Sequence, residues 1–329
     1  MMKQMKQIDI IVPCYNEQDN IARLCGALRE VFAANAQYRW HVVMIDDGST
    51  DDTLGALRRE AAADARFGYV SLSRNFGKEN AMLAGFDRAC GQCAVIMDAD
   101  MQHPPQLIPQ MVELWEQGFD DVYAKRASRG REPWLRRKLS KAYYRLLQRM
   151  ARVDILPDVG DFRLLDAKCL HSMRMLRETQ RYTKGLYCWI GFRKKSIEFR
   201  QQSRTRGTSS FSYMRLFDLA IEGITSYTTA PLRISTVMGV GVSAAALLYM
   251  LYVLVKTLVV GDPVQGYPTL IIVILFLGGL QLLSLGIMGE YLGRVFHETK
   301  HRPVYLVAEE SQGDGGTQHS TSENKTEKK

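Results

Sequence analysis

The first 125 residues alternate between short apolar runs and segments of helical periodicity, and this alternation limits the fold more than any other feature. Apolar runs at residues 8–12, 40–45, 69–72, 94–97 and 122–124 predict five strands. Continuous runs of this kind are typical of strands buried on both faces. The helical segments between them predict a mostly parallel sheet with helices on both faces. Ligands of such sheets bind at the carboxyl ends of the strands.

Two longer apolar runs follow, at residues 234–260 and 268–289. Each is near or above the ~20 residues that cross a bilayer as a helix. The connection between them contains no Lys or Arg, whereas Arg233 precedes the first run and Arg294 follows the second. The positive-inside rule therefore predicts a multi-pass membrane protein, with the connection outside and both termini in the cytoplasm.

These patterns predict the domain organisation. Residues 1–207 form a cytoplasmic α/β domain, which includes a basic amphipathic helix at 133–152. Such a helix is typical of a segment lying on a membrane surface, although a core-packed helix with a charged outer face has the same pattern. An amphipathic juxtamembrane helix at 208–233 leads into the membrane segment at 234–306. Residues 309–329 are polar and predict a disordered tail.

The charge balance points to anionic partners, since the net charge is +8. The apolar runs favour an anionic membrane surface or a phosphorylated substrate, and no nucleic-acid motif is present. Cys90 and Cys93 have CxxC spacing. No second cysteine pair or nearby histidine completes a zinc site, and Cys93 begins a strand instead of a helix. We therefore interpret both cysteines as structural.

Paired carboxylates follow the fourth predicted strand. Asp98 and Asp100 flank a small residue, and Gln102 offers a side-chain carbonyl two positions later. Hard oxygen ligands of this kind suit Mg²⁺ or Mn²⁺, which keep water and substrate phosphates as their remaining ligands. The sequence therefore predicts a divalent cation that stabilises a departing nucleoside diphosphate.

Polar residues also follow the other strands of the predicted sheet. Asp46 and Asp47 end the second strand and are candidates for contact with a nucleotide, together with Tyr15 and Glu17 after the first strand. The alternative is a turn in which Ser49 or Thr50 caps the next helix. After the third strand, Arg74 or Lys78 is placed to meet a phosphate, unless this segment is an ordinary basic turn.

Basic residues near the predicted membrane surface are candidates for binding a lipid phosphate, and polybasic attraction to anionic lipid is compatible with this. They are Lys125, Arg126, Arg129, Arg204 and Arg206. Asp158 and Asp161 lie in a glycine-containing loop, where a carboxylate can act as a general base or orient one. The alternative for Asp161 is a salt bridge to Arg163.

The segments VPCYNE (12–17), DDGS (46–49), DADMQ (98–102), RNFGKE (74–79) and VGDFRL (159–164) together resemble family 2 glycosyltransferases that act on polyisoprenyl phosphate. The similarity is closest to bactoprenol glucosyltransferases of the GtrB type and covers about residues 8–306. It implies a GT-A fold, which is Rossmann-like, followed by amphipathic interfacial helices and two transmembrane helices. The implied reaction is an inverting transfer of a sugar, glucose from UDP-glucose, to undecaprenyl phosphate on the cytoplasmic face of the plasma (bacterial inner) membrane.

The resemblance also implies roles for individual residues. The metal and the donor pyrophosphate would be held by Asp98, Asp100 and Gln102, and the nucleoside by Pro13, Tyr15, Glu17 and Asp46. Phosphate groups would be bound by Arg126 and Arg206, and Asp161 would lie near the acceptor. One departure is His103, where relatives often have Asp, and it is expected to alter the donor pocket.

The expected partners are a nucleotide-sugar donor, a polyisoprenyl phosphate lipid and the membrane. A homo-oligomer and a downstream lipid-sugar flippase are further candidates. Alternatives that stay open are the same reaction with an N-acetylhexosamine, mannose or aminoarabinose-type donor, and a non-catalytic membrane scaffold.

Overall fold

The computed structural model describes residues 5–126, 159–179, 181–199 and 266–311, together with isolated helical positions between 237 and 259. The described residues belong to two compact units. Those up to 199, together with 303–311, form the first unit. Those between 237 and 302 belong to the second.

The first unit is built on one mixed sheet. Within the described residues its strands are β1 (Gln7–Cys14), β2 (Arg39–Asp46), β3 (Phe67–Leu72), β4 (Cys93–Ile96), β5 (Asp121–Arg126), β6 (Val159–Asp166), β7 (Lys194–Phe199) and β8 (Val307–Glu310). Their order across the sheet is β7-β5-β6-β4-β1-β2-β3-β8. The strands β1 to β4 are parallel, as are β5 and β7, whereas β6 and β8 are antiparallel to their neighbours.

Helices connect the strands of this sheet. In the first unit they are α1 (Gln18–Ala34), α2 (Thr53–Ala63), α3 (Lys78–Arg88), α4 (Ile108–Glu116), α5 (Ala167–Met175) and α6 (Thr183–Trp189). Ile8, Ile10, Ile11 and Val12 of β1 are fully buried, which confirms that this strand is covered on both faces. The predicted parallel strands and their helices are thus confirmed. Asp19 lies in the first turn of α1, whose capping position is Glu17.

The C-terminal part of the first unit differs from the sequence prediction. Residues 303–306 were expected in the membrane segment, yet Ser73 donates a backbone hydrogen bond to Leu306 at 2.9 Å. Glu309 and Glu310 were expected in the tail but belong to β8, which pairs with β3. The outer edge of β3 carries backbone N–H and C=O groups that need hydrogen-bond partners. The backbone of β8 provides them, and this does not require apolar side chains.

The second unit contains α7 (Tyr267–Thr299), a helix of 33 residues. It includes the predicted span 268–289 and continues for another ten residues. Among the described residues, no helix combines the length and the apolar character needed to cross a bilayer. About half of the predicted span 234–260 lies outside the described residues, and so do the predicted helices at 133–152 and 208–233 and residues 312–329.

Candidate active site

A cavity of about 400 Å³ opens at the carboxyl ends of β1, β2 and β4. It is lined by Pro13, Cys14, Tyr15, Glu17, Asp47, Asn75, Gly77, Lys78, Ala81, Asp98, Ala99 and Asp100. Strand ends of a parallel sheet converge on one edge, which explains why segments distant in sequence meet here. Four further lining residues, Cys14, Asn75, Ala81 and Ala99, were not predicted from the sequence.

Hydrogen bonds connect the loop after β1 to the loop after β2. Asn16 has a left-handed backbone, with φ at 55°. Its amide donates to Ser49 Oγ at 3.0 Å, and its side-chain oxygen accepts from the Thr50 amide at 2.8 Å. Because α2 begins only at Thr53, neither Ser49 nor Thr50 caps that helix. These two residues instead fix the loop that carries Tyr15 and Glu17.

Asp47 holds the loop that precedes α3. Its two carboxylate oxygens accept from the Phe76 amide at 2.7 Å and the Gly77 amide at 2.9 Å. Burial raises the pKa of Asp47 above its ordinary value, although the two amide hydrogen bonds favour the ionised form. Asp47 therefore lines the cavity and also positions Lys78, the next residue of the chain after Gly77.

Asp46 lies apart from the cavity wall. It is 2 % exposed, and its carboxylate accepts hydrogen bonds from the Ser49 amide at 3.0 Å and from Ser71 Oγ at 2.8 Å. Of the donor-site residues predicted from the sequence, the other seven line the cavity and Asp46 does not. Its predicted contact with the nucleoside stays a prediction.

Lys78 joins two carboxylates that are distant in sequence. Its ammonium lies 2.6 Å from Asp98 Oδ1 and 2.7 Å from Asp161 Oδ2. The strand β6 brings Asp161 here, because it runs antiparallel to β4 with Arg163 opposite Ile96. Continuing that register by two residues sets Asp161 opposite Asp98. The alternative pairing of Asp161 with Arg163 is wrong, since Lys78 holds Asp161.

Arg163 has other partners. Its guanidinium pairs with Asp121 at 3.0 Å and lies over the Tyr187 ring, 3.6 Å from the centroid. This buried group therefore supports the sheet between β5 and β6.

The charges of the Lys78 cluster stabilise each other. Burial acts to lower the pKa of Lys78, but Asp98 and Asp161 outweigh it and raise the pKa above its ordinary value. Burial acts to raise the pKa of Asp161, but the positive charges of Lys78 and Lys184 lower it overall. Lys78 is therefore cationic and Asp161 anionic near neutral pH.

Three side chains at the end of β4 are close enough to share one cation. One potential ligand atom from each of Asp98, Asp100 and His103 lies within 4.8 Å of the others. Gln102 is 7 % exposed, and its backbone amide donates a hydrogen bond to Asp100 Oδ1 at 3.1 Å. His103 was expected to alter the donor pocket without a ligand role, although an imidazole three residues after Asp100 is itself a recognisable signal. Two carboxylates and an imidazole are a suitable donor set for a divalent transition metal.

Most of the residues predicted to bind the acceptor phosphate lie outside the described part of the chain. Arg126 ends β5, beside Phe199 of β7. Its side chain lies outside the described part of the chain, as do Arg129, Arg204 and Arg206. Their predicted roles stay predictions. The CxxC pair has no shared site, because Cys93 is fully buried in β4 while Cys90 is exposed.

Comparisons with known proteins agree with this architecture. Residues 9–173 match the model of glycosyl transferase family 2, and residues 230–295 match the model of the GtrB C-terminal hairpin. The first match includes every residue that lines the cavity, and also Asp161. A mostly parallel sheet with a cavity at its carboxyl edge is the arrangement expected of the GT-A fold.

Curated relatives are similar over nearly their full length. The chain is 42% identical to a putative glycosyltransferase, CsbB, of Bacillus subtilis, covering 93% of this chain and 93% of the relative. It is 41% identical to an uncharacterized glycosyltransferase of Synechocystis sp., covering 92% and 95%. It is 39% identical to a bactoprenol glucosyl transferase of Shigella phage SfV, covering 93% and 99%. By family match and by these identities, the chain belongs to glycosyltransferase family 2.

Proposed function

We propose that this enzyme transfers glucose from UDP-glucose to undecaprenyl phosphate, with inversion at the anomeric carbon. The observation that carries the proposal is the convergence of Asp98, Asp100, Lys78 and Asp161 at the carboxyl edge of the sheet. Such a cluster suits a reaction in which a nucleoside diphosphate leaves and a phosphate attacks. The bactoprenol glucosyl transferase of Shigella phage SfV, 39% identical, supports the choice of sugar and lipid.

Different parts of the cavity wall suit different parts of the donor. Tyr15 is 45% exposed at the cavity wall, where an aromatic ring can stack on a nucleobase. Pro13 and Glu17 extend the same wall. The nucleotide would enter between the loops after β1 and β2, with its pyrophosphate directed towards Asp98 and Asp100.

A divalent cation fits the residues present. Asp98 and Asp100 provide oxygen ligands, and Gln102 is the third residue assigned to this site from the sequence. A cation bound there supplies positive charge that stabilises the departing diphosphate. The finer choice between Mg²⁺ and Mn²⁺ depends on the remaining ligand.

The protein's own charged groups position the acceptor. The acceptor phosphate is already anionic near neutral pH, so a strong general base is not needed. Lys78 carries positive charge at the edge of the cavity and holds Asp161 in its ionised form. We expect Asp161 to orient the attacking group, and Arg126, Arg129, Arg204 and Arg206 to bind its phosphate. Holding both reactants in line lowers the entropic cost of the reaction.

We propose that the second unit attaches the enzyme to the membrane through two helices, near 234–260 and 268–289, with the catalytic unit on the cytoplasmic face. The apolar sequence of both runs and the match of residues 230–295 to the GtrB C-terminal hairpin support this. Large apolar side chains such as Leu282, Leu285 and Leu292 of α7 are more than half exposed within the chain.

A transfer assay tests the proposal. The full chain is purified in detergent and incubated with undecaprenyl phosphate, Mg²⁺ or Mn²⁺, and a panel of radiolabelled nucleotide sugars. We expect labelled lipid from UDP-glucose. Label from a different donor would overturn the choice of sugar, and no label from any donor would support the non-catalytic alternative.

Two variants separate the site from the fold. Asp98→Asn keeps the shape of the side chain but removes its charge, and we expect it to abolish transfer. Glu113→Gln makes the same chemical change at an exposed position of α4 and should transfer at the wild-type rate. Equal activity of both variants would contradict the assignment of Asp98 to the active site.

A further inference from the structure

We propose that His103 is the third protein ligand of the cation in the donor site, and that its nitrogen makes this enzyme prefer Mn²⁺ to Mg²⁺. The inference rests on the metal site of the proposed function.

The distances place the imidazole at the cluster. His103 Nδ1 is 4.0 Å from Asp98 Oδ2, and the potential ligand atoms of Asp98, Asp100 and His103 all lie within 4.8 Å of one another. Two ligands that are each ~2.1 Å from one metal ion are about 3 to 4.2 Å apart. Small side-chain rotations are therefore sufficient to bring the three atoms around one ion.

Asp98 presents its two oxygens to different neighbours. Lys78 contacts Oδ1 at 2.6 Å, whereas His103 lies on the side of Oδ2. The ammonium of Lys78 therefore repels a cation from one side of the carboxylate. A cation is expected on the opposite side, where ligand atoms of Asp100 and His103 lie within 4.8 Å of Asp98.

The His103 ring is held in a defined orientation. The residue is 4% exposed, and its ring stacks on Phe162 with centroids 4.9 Å apart and planes at 20°. Phe199 packs against it with a centroid distance of 5.8 Å. Met101 has a left-handed backbone, with φ at 59°, so the chain turns between Asp100 and His103. A ring fixed by its neighbours loses little rotamer freedom on binding a metal.

The chemistry of the ligand sets the preference. Mg²⁺ takes oxygen ligands almost exclusively and requires near-ideal octahedral geometry. Mn²⁺ also prefers oxygen ligands, but as a first-row transition metal it binds an imidazole nitrogen more strongly than Mg²⁺ does. One imidazole beside two carboxylates therefore favours Mn²⁺ over Mg²⁺ at this site.

Electron spin echo modulation of bound Mn²⁺ tests this without any turnover. The full chain in detergent is loaded with less than one equivalent of Mn²⁺, in the absence of nucleotide. We expect modulation from a directly bound ¹⁴N nucleus. Bound Mn²⁺ without ¹⁴N modulation would overturn the proposal, and so would failure to bind Mn²⁺ at millimolar concentration, because three ligands are already assembled.

Two variants assign the nitrogen. His103→Phe keeps the stack on Phe162 but has no ligand atom, and it should lose the ¹⁴N modulation and at least about tenfold in Mn²⁺ affinity. His171→Gln, at an exposed position of α5, should change neither. Thermal unfolding of metal-free His103→Phe checks its fold, and if that variant is unfolded the wild-type spectrum still decides. A folded His103→Phe with wild-type Mn²⁺ affinity and an unchanged Mn²⁺ to Mg²⁺ ratio would show that His103 only packs.

These outcomes are distinct from failure of the proposed function. Absence of glucosyl transfer with normal ¹⁴N modulation would change the substrate and leave His103 as a ligand. Normal transfer without ¹⁴N modulation would leave the reaction in place and remove His103 from the metal.

Discussion

Lys78 is the residue on which the charges of the candidate site converge, since its ammonium forms ion pairs with both Asp98 and Asp161. Lys78→Met removes the ammonium but keeps an unbranched side chain of similar length. The two carboxylates then repel each other and the incoming phosphate, and we expect kcat for glucosyl transfer to fall by about 100-fold. Lys78→Arg keeps the charge and should recover part of the activity.

The matched control for this change is Lys168→Met. Lys168 also pairs with an aspartate, Asp120, at 2.7 Å, but neither residue lines the cavity, and the Lys168 side chain is exposed. Its loss should leave kcat unchanged. If Lys78→Met kept more than a third of the wild-type activity, Lys78 would not be needed for glucosyl transfer.

Gly48 is required by the turn after β2. Its φ is +65°, and a Cβ there would meet the backbone of Arg74. We expect Gly48→Ala to lower the free energy of unfolding by about 1–3 kcal/mol, measured by thermal or chemical denaturation. Gly26→Ala is the control, because no atom lies within 4 Å of a Cβ at that helical position. It should stabilise the protein by about 0.5–1 kcal/mol, and equal effects of the two changes would contradict the turn argument.

For single residues, the sequence predicts which side chains lie at the candidate site but not which of them form ion pairs with each other. Asp98, Asp100 and Asp47 were predictable because they directly follow buried strands. The contact of Lys78 with Asp161 was not, because it depends on the register of β6 against β4. Arg163, the nearer partner in sequence, is instead drawn to Asp121 and Tyr187.

Between elements, Arg29 of α1 ties that helix to the end of α2. Its guanidinium pairs with Glu60 at 2.7 Å and with Asp64 at 3.2 Å. Asp64 also pairs with Arg66, which lowers the pKa of Asp64 well below its usual range, and Arg29 adds to that shift. A lowered pKa in the folded state means that the contribution of Asp64 is present above the unfolded pKa and is lost as the pH falls through the folded pKa.

We therefore expect Asp64→Asn to lower the free energy of unfolding by about 1 kcal/mol at pH 7. The difference from wild type should shrink below about pH 4, where the unfolded chain's aspartate is protonated. Urea unfolding at pH 7, 5 and 3 measures it. Asp52→Asn breaks a mostly exposed pair with Arg59 and should have almost no effect at any of these pH values. A difference for Asp64→Asn that stays constant down to pH 3 would contradict this account.

The helices and strands that were predicted from the sequence are those whose residues are well buried. The strands β1 to β4 and helices α1 to α4 were found because continuous apolar or helical patterns identify them. In β6, Asp161 and Arg163 interrupt the apolar pattern, and β7 is an edge strand with Lys194 and Lys195. Four-residue β8 exists because β3 offers it an edge, and no local pattern predicts a partner more than 230 residues away.

On the scale of the whole molecule, the first unit is assembled from both ends of the described chain. The segment 303–311 follows α7 and supplies β8 to the edge of the sheet. Glu309 forms two hydrogen bonds with Arg58, at 2.9 and 2.7 Å, and Tyr305 donates to Asp87 at 2.5 Å. Removing everything from residue 234 onward would therefore damage the catalytic unit as well as the predicted membrane segment.

Truncation at two points tests this arrangement. Ending the chain after Arg302 removes β8 and Tyr305 and exposes the edge of β3, which favours aggregation as well as unfolding. We expect the Tm to fall by about 5 °C or more, because each ~1 kcal/mol lost corresponds to about 2–4 °C in a unit of this size. Ending it after Ser311 keeps β8 and the hydrogen bond of the Ser311 amide to Tyr69, and should leave the Tm and the transfer rate unchanged. If both truncated chains unfold at the same temperature as the full chain, β8 contributes nothing to the catalytic unit.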